Sequence, residues 1–393
     1  ELVNRTNEQY REKGLALIQK IPTPITPVKM DKNTRHITLA YFEQKSTVDY
    51  IGAVQGIPVC FDAKECCVKT FPLANIHPHQ VAFMEEFEKY TLDQFPMRDT
   101  MRTFKAVGNY YLFGRKDNNG LYIADGYLSK LEYPLNEASL DYAALCFGEV
   151  NRKYLEGKVG AVYGVIVPDK NYFLADKNGY PSMDYDEFYS LMKDKLDFMQ
   201  LIDVRGLLSY DDYYRTDTHW RQERIVDAAR EIADKMGVTL SAEYELKQLS
   251  APFRGVYYGQ AALPIATETL YYLENEAIKN STVTDYETGK TGAVYDMEKA
   301  EGNDLYEMFL SGPRSLLVID NPSADTDKEL IIFRDSFGSS IAPLFIEAYS
   351  KITLVDIRYI SPAYLGRFIE FDGQDVLFLY STLVLNNSDT IIR

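Results

Sequence analysis

The sequence predicts an α/β fold, and three observations carry that prediction. Short apolar runs of strand length recur at 161–167, 315–319, 329–333, 351–357 and 375–380. Helix-patterned segments fall between several of them, at 185–199, 225–236 and 341–349. The first run is continuously apolar, rich in β-branched residues, and closes on Pro168. Strand–helix–strand spacing of this kind calls for a parallel sheet with helices on its faces.

Taken in order, residues 1–75 read differently from the rest. Pro22, Pro24 and Pro27 punctuate them, and strands are expected at 38–42 and 54–61. They are expected to form an N-terminal extension of open role, ahead of a main domain at 76–393. A helix is expected over 78–90. A hairpin is expected from 110–113 and 120–123, joined by a polar turn at Asn118, Asn119 and Gly120. The helix at 185–199 leads into a strand at 198–204. Ile225, Ala228, Ala229, Ile232, Ala233 and Met236 fall at helical spacing, with Gly237 as the stop.

Composition narrows the classes. No apolar run in the 393 residues reaches the roughly 20 needed to cross a bilayer. Hydrophobic residues at 46% and charged residues at 25% suit a globular protein with a sizeable core. The net charge of −16 repels phosphate backbones and anionic lipids, so no nucleic-acid partner is expected. Thirty-one tyrosines against one tryptophan suit sugar recognition and half-wet core positions equally. The cysteines are Cys60, Cys66, Cys67 and Cys146, and a bridge from Cys60 to Cys66 or Cys67 is open if the protein is exported. The first residue is Glu1, so an upstream signal peptide or membrane anchor is expected, with the mature chain extracellular or at the cell surface.

Two stretches carry chemistry. The run 329–334 ends in Asp335-Ser336, with Gly338 two residues on and a helix opening behind it. In a parallel sheet ligands sit beyond the carboxyl ends of the strands. A serine there exposes its hydroxyl, and its own N–H can serve an oxyanion. The competing reading is a serine that caps the helix. The second stretch is Tyr213-Tyr214-Arg215-Thr216-Asp217-Thr218-His219-Trp220, just before the helix at 225–236. A serine nucleophile needs a base, and the base an orienting carboxylate; Asp217 and His219 supply both from one turn. Here the competing readings are a helix cap with a packed histidine, and a metal site drawing on His77 and His79. Tyr210, Asp211 and Asp212 read as a solvated turn.

Together, Thr216-Asp217-Thr218-His219-Trp220 and Asp335-Ser336-Phe337-Gly338 resemble the DHHW-protein family, and are similar to the alginate O-acetyltransferase group of SGNH-hydrolase-like proteins. Phe95-Pro96-Met97-Arg98-Asp99 resembles the Phe-Pro-x-Arg segment near the start of those domains. Val355-Asp356-Ile357-Arg358-Tyr359 resembles their arginine-bearing strand after the serine helix. Thr218 stands where the family name has a second histidine, Arg334 where ordinary SGNH esterases have glycine, and their oxyanion asparagine has no evident equivalent. The resemblance covers roughly residues 80–393.

The resemblance implies an SGNH-like parallel sheet with permuted motif order, aspartate and histidine preceding serine. It implies Ser336 as nucleophile, His219 as base and Asp217 as orienter, with Arg358, Gly338 and Tyr214 as substrate or oxyanion candidates. The activity implied is O-acetyl transfer or acetyl-ester hydrolysis on a cell-surface or secreted polysaccharide, with no cofactor or metal. A membrane-bound O-acyltransferase is the implied acyl donor. The alternative is a non-catalytic polysaccharide-binding or assembly protein on a degenerate fold.

Overall fold

The computed structural model describes residues 2–22, 25–31, 34, 36–42, 48–54, 57–64, 77–91, 98–112 and 119–393. The chain divides into two compact units, Glu1–Arg102 and Thr103–Arg393. The division lies beyond the boundary at 75/76 expected from sequence. The helix after residue 77 ties to the strands before it through Gln80 Nε2, which donates to Asp62 Oδ1 at 3.0 Å.

In the small unit, α1 (Leu2–Glu12) and β1 (Ala16–Lys20) precede the pair β2 (Ile25–Met30) and β3 (Ile37–Phe42). Then come β4 (Tyr50–Val54), β5 (Ile57–Phe61) and α2 (Pro78–Lys89). β1, β4 and β5 form an antiparallel sheet in that order, so the single strand expected at 54–61 is the meeting point of two. Gly52 is required there, because a Cβ would stand 2.1 Å from the Leu17 carbonyl oxygen. Pro78 opens α2 where its missing N–H costs nothing. Cys66, Cys67 and Phe95-Pro96-Met97 lie outside the described residues.

α3 (Arg98–Val107) contains the division at 102/103, and the larger unit begins within it. The expected hairpin at 110–123 is displaced: Tyr110 belongs to the helical turn Gly108–Leu112. The observed hairpin joins β6 (Leu121–Ala124) to β7 (Tyr127–Lys130). Its two turn residues, Asp125 at φ 50° and Gly126 at φ 82°, make the doubly left-handed turn that matches strand twist.

Next in the chain come α4 (Glu137–Val150), β8 (Val162–Val167), α5 (Lys170–Leu174), α6 (Tyr185–Lys195), β9 (Gln200–Ile202), α7 (Val226–Lys235) and β10 (Glu245–Gln248). α8 (Val256–Ala261), β11 (Tyr271–Glu274), α9 (Glu276–Asn280), β12 (Thr282–Asp285), β13 (Lys290–Ala293) and β14 (Leu316–Asp320) follow. The chain ends with β15 (Glu329–Arg334), α10 (Gly338–Ile341), β16 (Lys351–Val355), β17 (Asp375–Ser381) and α11 (Thr382–Asn386). The helix expected at 341–349 is instead the short α10 and a 3-10 turn at Ala342–Ala348, because Pro343 has no N–H for α-helical bonding.

The sheet is mixed rather than parallel. Its eight strands run β13-β12-β14-β16-β15-β17-β8-β9. The five from β16 to β9 are mutually parallel, and β14, β12 and β13 extend them antiparallel. Successive side chains of β15 alternate between faces. Leu330 and Ile332 pack with Ile232 of α7 and Phe345, while Ile331 and Phe333 pack with Phe147 of α4 and Phe188 of α6. Helices thus cover both faces. No helix among the described residues is long and apolar enough to cross a membrane.

Candidate active site

The site stands beyond the carboxyl ends of the parallel strands. β15 delivers Ser336, and Asp335 fixes the turn: it accepts from Phe337 N–H (2.9 Å) and from the Ser381 N–H and hydroxyl at the end of β17 (both 2.7 Å). Gly338 follows because a Cβ there would lie 2.6 Å from Arg334 Cβ. The loop between β9 and α7 supplies the partners. Tyr213 and Trp220 bridge across it, and Tyr214 N–H donates to the His219 carbonyl at 3.0 Å. This narrow loop aims Asp217 and His219 at the serine.

Asp217 Oδ1 and His219 Nδ1 are 2.5 Å apart, and His219 Nε2 and Ser336 Oγ are 2.7 Å apart. Asp217 is fully buried, and its second oxygen accepts from Val256 N–H at 2.7 Å. Burial pushes its carboxyl up, but the charge and hydrogen bonds of His219 with the Val256 N–H outweigh this and hold it below the usual carboxylate range. Gly255 lets that backbone approach, since a Cβ there would sit 2.2 Å from Asp217 Cβ. Ser336 N–H makes no hydrogen bond among the described residues, which leaves it open to an incoming oxyanion.

The other sequence candidates are placed differently. Arg358 grips Asp356 with Nε (2.9 Å) and Nη2 (2.7 Å), and Asp356 is fully buried. Gly338 N–H is spent on the Asp335 carbonyl at 3.1 Å. Tyr214 is buried against Phe253 and presents its carbonyl to Lys170 Nζ at 2.8 Å. His77 and His79 belong to the small unit and stack on each other, and no group of three or more metal-ligating side chains occurs among the described residues.

Sequence reasoning missed three neighbours. Tyr306 lies face to face on the His219 ring, and its hydroxyl donates to Ser340 Oγ at 2.9 Å and the Ser336 carbonyl at 3.3 Å. Asp304, half-buried, has its carboxyl raised by burial and by the charge of Asp217. Lys170 is buried behind Asp217, and burial lowers its pKa to about 7 against the pull of Asp217 and Glu268. The pattern 299–309 has no strand or helix period, so only the Asp304-x-Tyr306 turn could have pointed to it.

The small unit gathers its own polar groups. Asp49 and Asp62 flank the paired residues Tyr50 and Phe61 on neighbouring strands. Asp49 Oδ2 accepts from Ala63 N–H at 2.9 Å, and Asp62 pairs with Lys64 at 2.5 Å. Residues 1–102 hold equal numbers of acidic and basic side chains, so the whole net charge of −16 resides in the larger unit.

Comparisons with known proteins separate along the same lines. The family model Recombination protein U matches residues 1–117. Holliday junction resolvase RecU of Geobacillus thermodenitrificans is 36% identical over 155 residues, covering 34% of this chain and 77% of that protein. Its counterpart from Geobacillus kaustophilus is 50% identical over 88 residues, 21% of this chain and 44% of that protein. Among solved structures, a DHHW family protein from Eubacterium siraeum superposes with a TM-score of 0.54 at 21% identity, over 70% of this chain and 95% of that one. Bacillus cereus PatB1 with a sulfonyl adduct matches with a TM-score of 0.54 at 18% identity, over 67% of this chain and 95% of that one. The larger unit therefore has the fold of the DHHW and PatB1 structures, and through residues 1–117 the chain belongs to the Recombination protein U family.

Proposed function

We propose that the larger unit is a serine-dependent O-acetyltransferase or acetylesterase acting on a cell-surface or secreted polysaccharide. The observation that carries this reading is the unbroken line Asp217–His219–Ser336, with the Ser336 N–H unengaged beside it. His219 Nε2 takes the Ser336 hydroxyl proton as Oγ attacks the ester carbonyl carbon. The carbonyl oxygen becomes an oxyanion facing the Ser336 N–H. On collapse the ester C–O bond breaks, and His219 returns the proton to the leaving oxygen. Water or a sugar hydroxyl then resolves the acyl-serine by the same route. Asp217 holds the imidazole with Nδ1 protonated and Nε2 free to accept. A membrane-bound O-acyltransferase as acyl donor and a site of action outside the cell belong to the same proposal.

The test is hydrolysis of p-nitrophenyl acetate by wild type and Ser336→Ala, with intact-mass detection of a trapped acetyl group. Turnover and adduct lost together in Ser336→Ala support the reading. A phenylmethylsulfonyl adduct on Ser336 would be a second signature of an activated nucleophile. A folded protein that gives no turnover and no adduct sinks the reading, in favour of a non-catalytic polysaccharide-binding role.

A second reading attaches to residues 1–117 alone. Their family match favours a contact with branched DNA, the slight basic excess of these residues (16 basic against 14 acidic) does not oppose it, and Asp49, Asp62 and Lys64 are the groups assigned to it here. The acidity of the whole chain does not argue against this, because it lies in the other unit. Binding of the full chain to a synthetic four-way junction, compared with a linear duplex, tests it. Equal affinity for the two overturns it.

A further inference from the structure

A groove of about 910 Å³ opens on the sheet at the end opposite the serine. Its floor is a cross-strand row: Val318 of β14 lies opposite Thr353 of β16, which lies beside Ile331 of β15. The next row outward is Asp320, Lys351 and Glu329, with Lys351 Nζ on Glu329 Oε1 at 2.7 Å. The row inward, Leu316, Val355 and Phe333, is buried in the core. The helical cover therefore stops one row short, and the groove is what it leaves open.

Three features describe what would fill it. Thr353 is only 7% exposed, lines the groove, and its hydroxyl makes no hydrogen bond among the described residues. A polar group in such a place calls for a polar partner. Tyr286 and Phe368 wall one side edge to face, with ring centroids 6.2 Å apart and nearly half of each residue exposed. Aromatic rings of this kind present flat apolar faces to a ligand while their edges stay fixed. The rim carries Asp320, Asp327, Glu370 and Asp372, none of them in an ion pair among the described residues, and only Lys328 stands uncompensated against them.

From these features we infer that the groove binds an oligosaccharide bearing free amino groups. The pyranose C–H faces lie on Tyr286 and Phe368, a ring hydroxyl meets Thr353 Oγ1, and ammonium groups meet the rim carboxylates. A polyuronate is refused by the same carboxylates. Ile331 and Ser336 are five residues apart along β15 and its turn, about 16 Å at strand rise, so this is an anchoring site apart from the chemistry. The inference deepens the polysaccharide reading, and it is tested without turnover.

The experiment is calorimetric titration of the full-length Ser336→Ala protein with a glucosamine hexamer and, separately, a mannuronate hexamer. The glucosamine hexamer should bind and the mannuronate hexamer should not. Tyr286→Ala and Phe368→Ala, both at half-exposed positions, should each weaken binding about tenfold. Thr353→Val, which keeps the side-chain shape, should weaken it too. Circular dichroism of each variant guards against loss of fold. No binding of the glucosamine hexamer, equal binding of mannuronate, or binding indifferent to all three substitutions would overturn the inference. Because no acyl group moves in this assay, such a failure leaves the acyl-transfer reading to its own test.

Discussion

The rings of His219 and Tyr306 lie parallel, with centroids 3.8 Å apart and planes 4° from each other. An imidazole held this way cannot rotate off the line between Asp217 and Ser336. In the proposed reaction, the charge it gains with the serine proton also meets the face of the phenol ring. Tyr306→Leu should therefore lower kcat for p-nitrophenyl acetate about tenfold or more with little change in KM. Tyr306→Phe, which keeps the stack and loses only the hydroxyl, should recover most of the rate. Equal loss in the two variants would assign the effect to the hydroxyl instead.

Gly255 bears on the same line from behind. Any side chain there meets Asp217, whose Cβ would be 2.2 Å away. Gly255→Ala should push the carboxylate off His219 and cost on the order of a hundredfold in kcat/KM, as small displacements of a catalytic group do. A crystal structure or kinetics of the variant decides it; wild-type rates would show that the loop yields.

Arg358 separates a catalytic from an architectural role. Its guanidinium compensates Asp356, which is fully buried. Arg358→Met would strand that charge, and about 3–5 kcal/mol of stability should be lost in urea unfolding. If stability is kept and only turnover falls, the arginine serves substrate.

Lys170 predicts a pH dependence. Burial lowers its pKa to about 7, below the value of about 10.4 in an unfolded chain. A base depressed in this way contributes stability above the unfolded value, and that stability is lost as pH falls toward 7. Lys170→Met removes the slope. The stability of the variant relative to wild type should rise between pH 10 and 7 by at most about 1.4 kcal/mol per pH unit, then level off. Parallel curves for the two proteins would refute this.

Ser340 joins two supports of the site, accepting from Trp220 Nε1 and Tyr306 Oη, both at 2.9 Å. Ser340→Ala leaves the buried indole N–H with only the Phe337 carbonyl at 3.2 Å. A loss of about 1–3 kcal/mol in thermal or urea unfolding is expected.

Much of this architecture was legible in the residues. Val162–Val167, Glu329–Arg334 and Asp375–Ser381 announce themselves because a strand buried on both faces must be apolar throughout. The serine turn and the Asp217-Thr218-His219 loop could be read because each interrupts a strong periodic pattern. The antiparallel half could not. β12 and β13, Thr-Val-Thr-Asp and Lys-Thr-Gly-Ala, are four residues each, β13 is exposed throughout, and the pairing of β12 with β14 joins segments distant in sequence. Tyr306 escaped for a related reason: a single turn of 3-10 helix has no period to detect. The role of the small unit is not legible because its short, proline-punctuated strands lie outside the resemblance, and charge summed over the whole chain hides the neutrality of residues 1–102.

The eight-stranded sheet ends in β9, three residues long, and in β13, four exposed residues beginning with Lys290. Neither margin offers a second molecule enough unpaired backbone to continue the ladder, and the lysine disfavours the attempt. A large, strongly apolar sheet is thereby kept from serving as a template for fibrils.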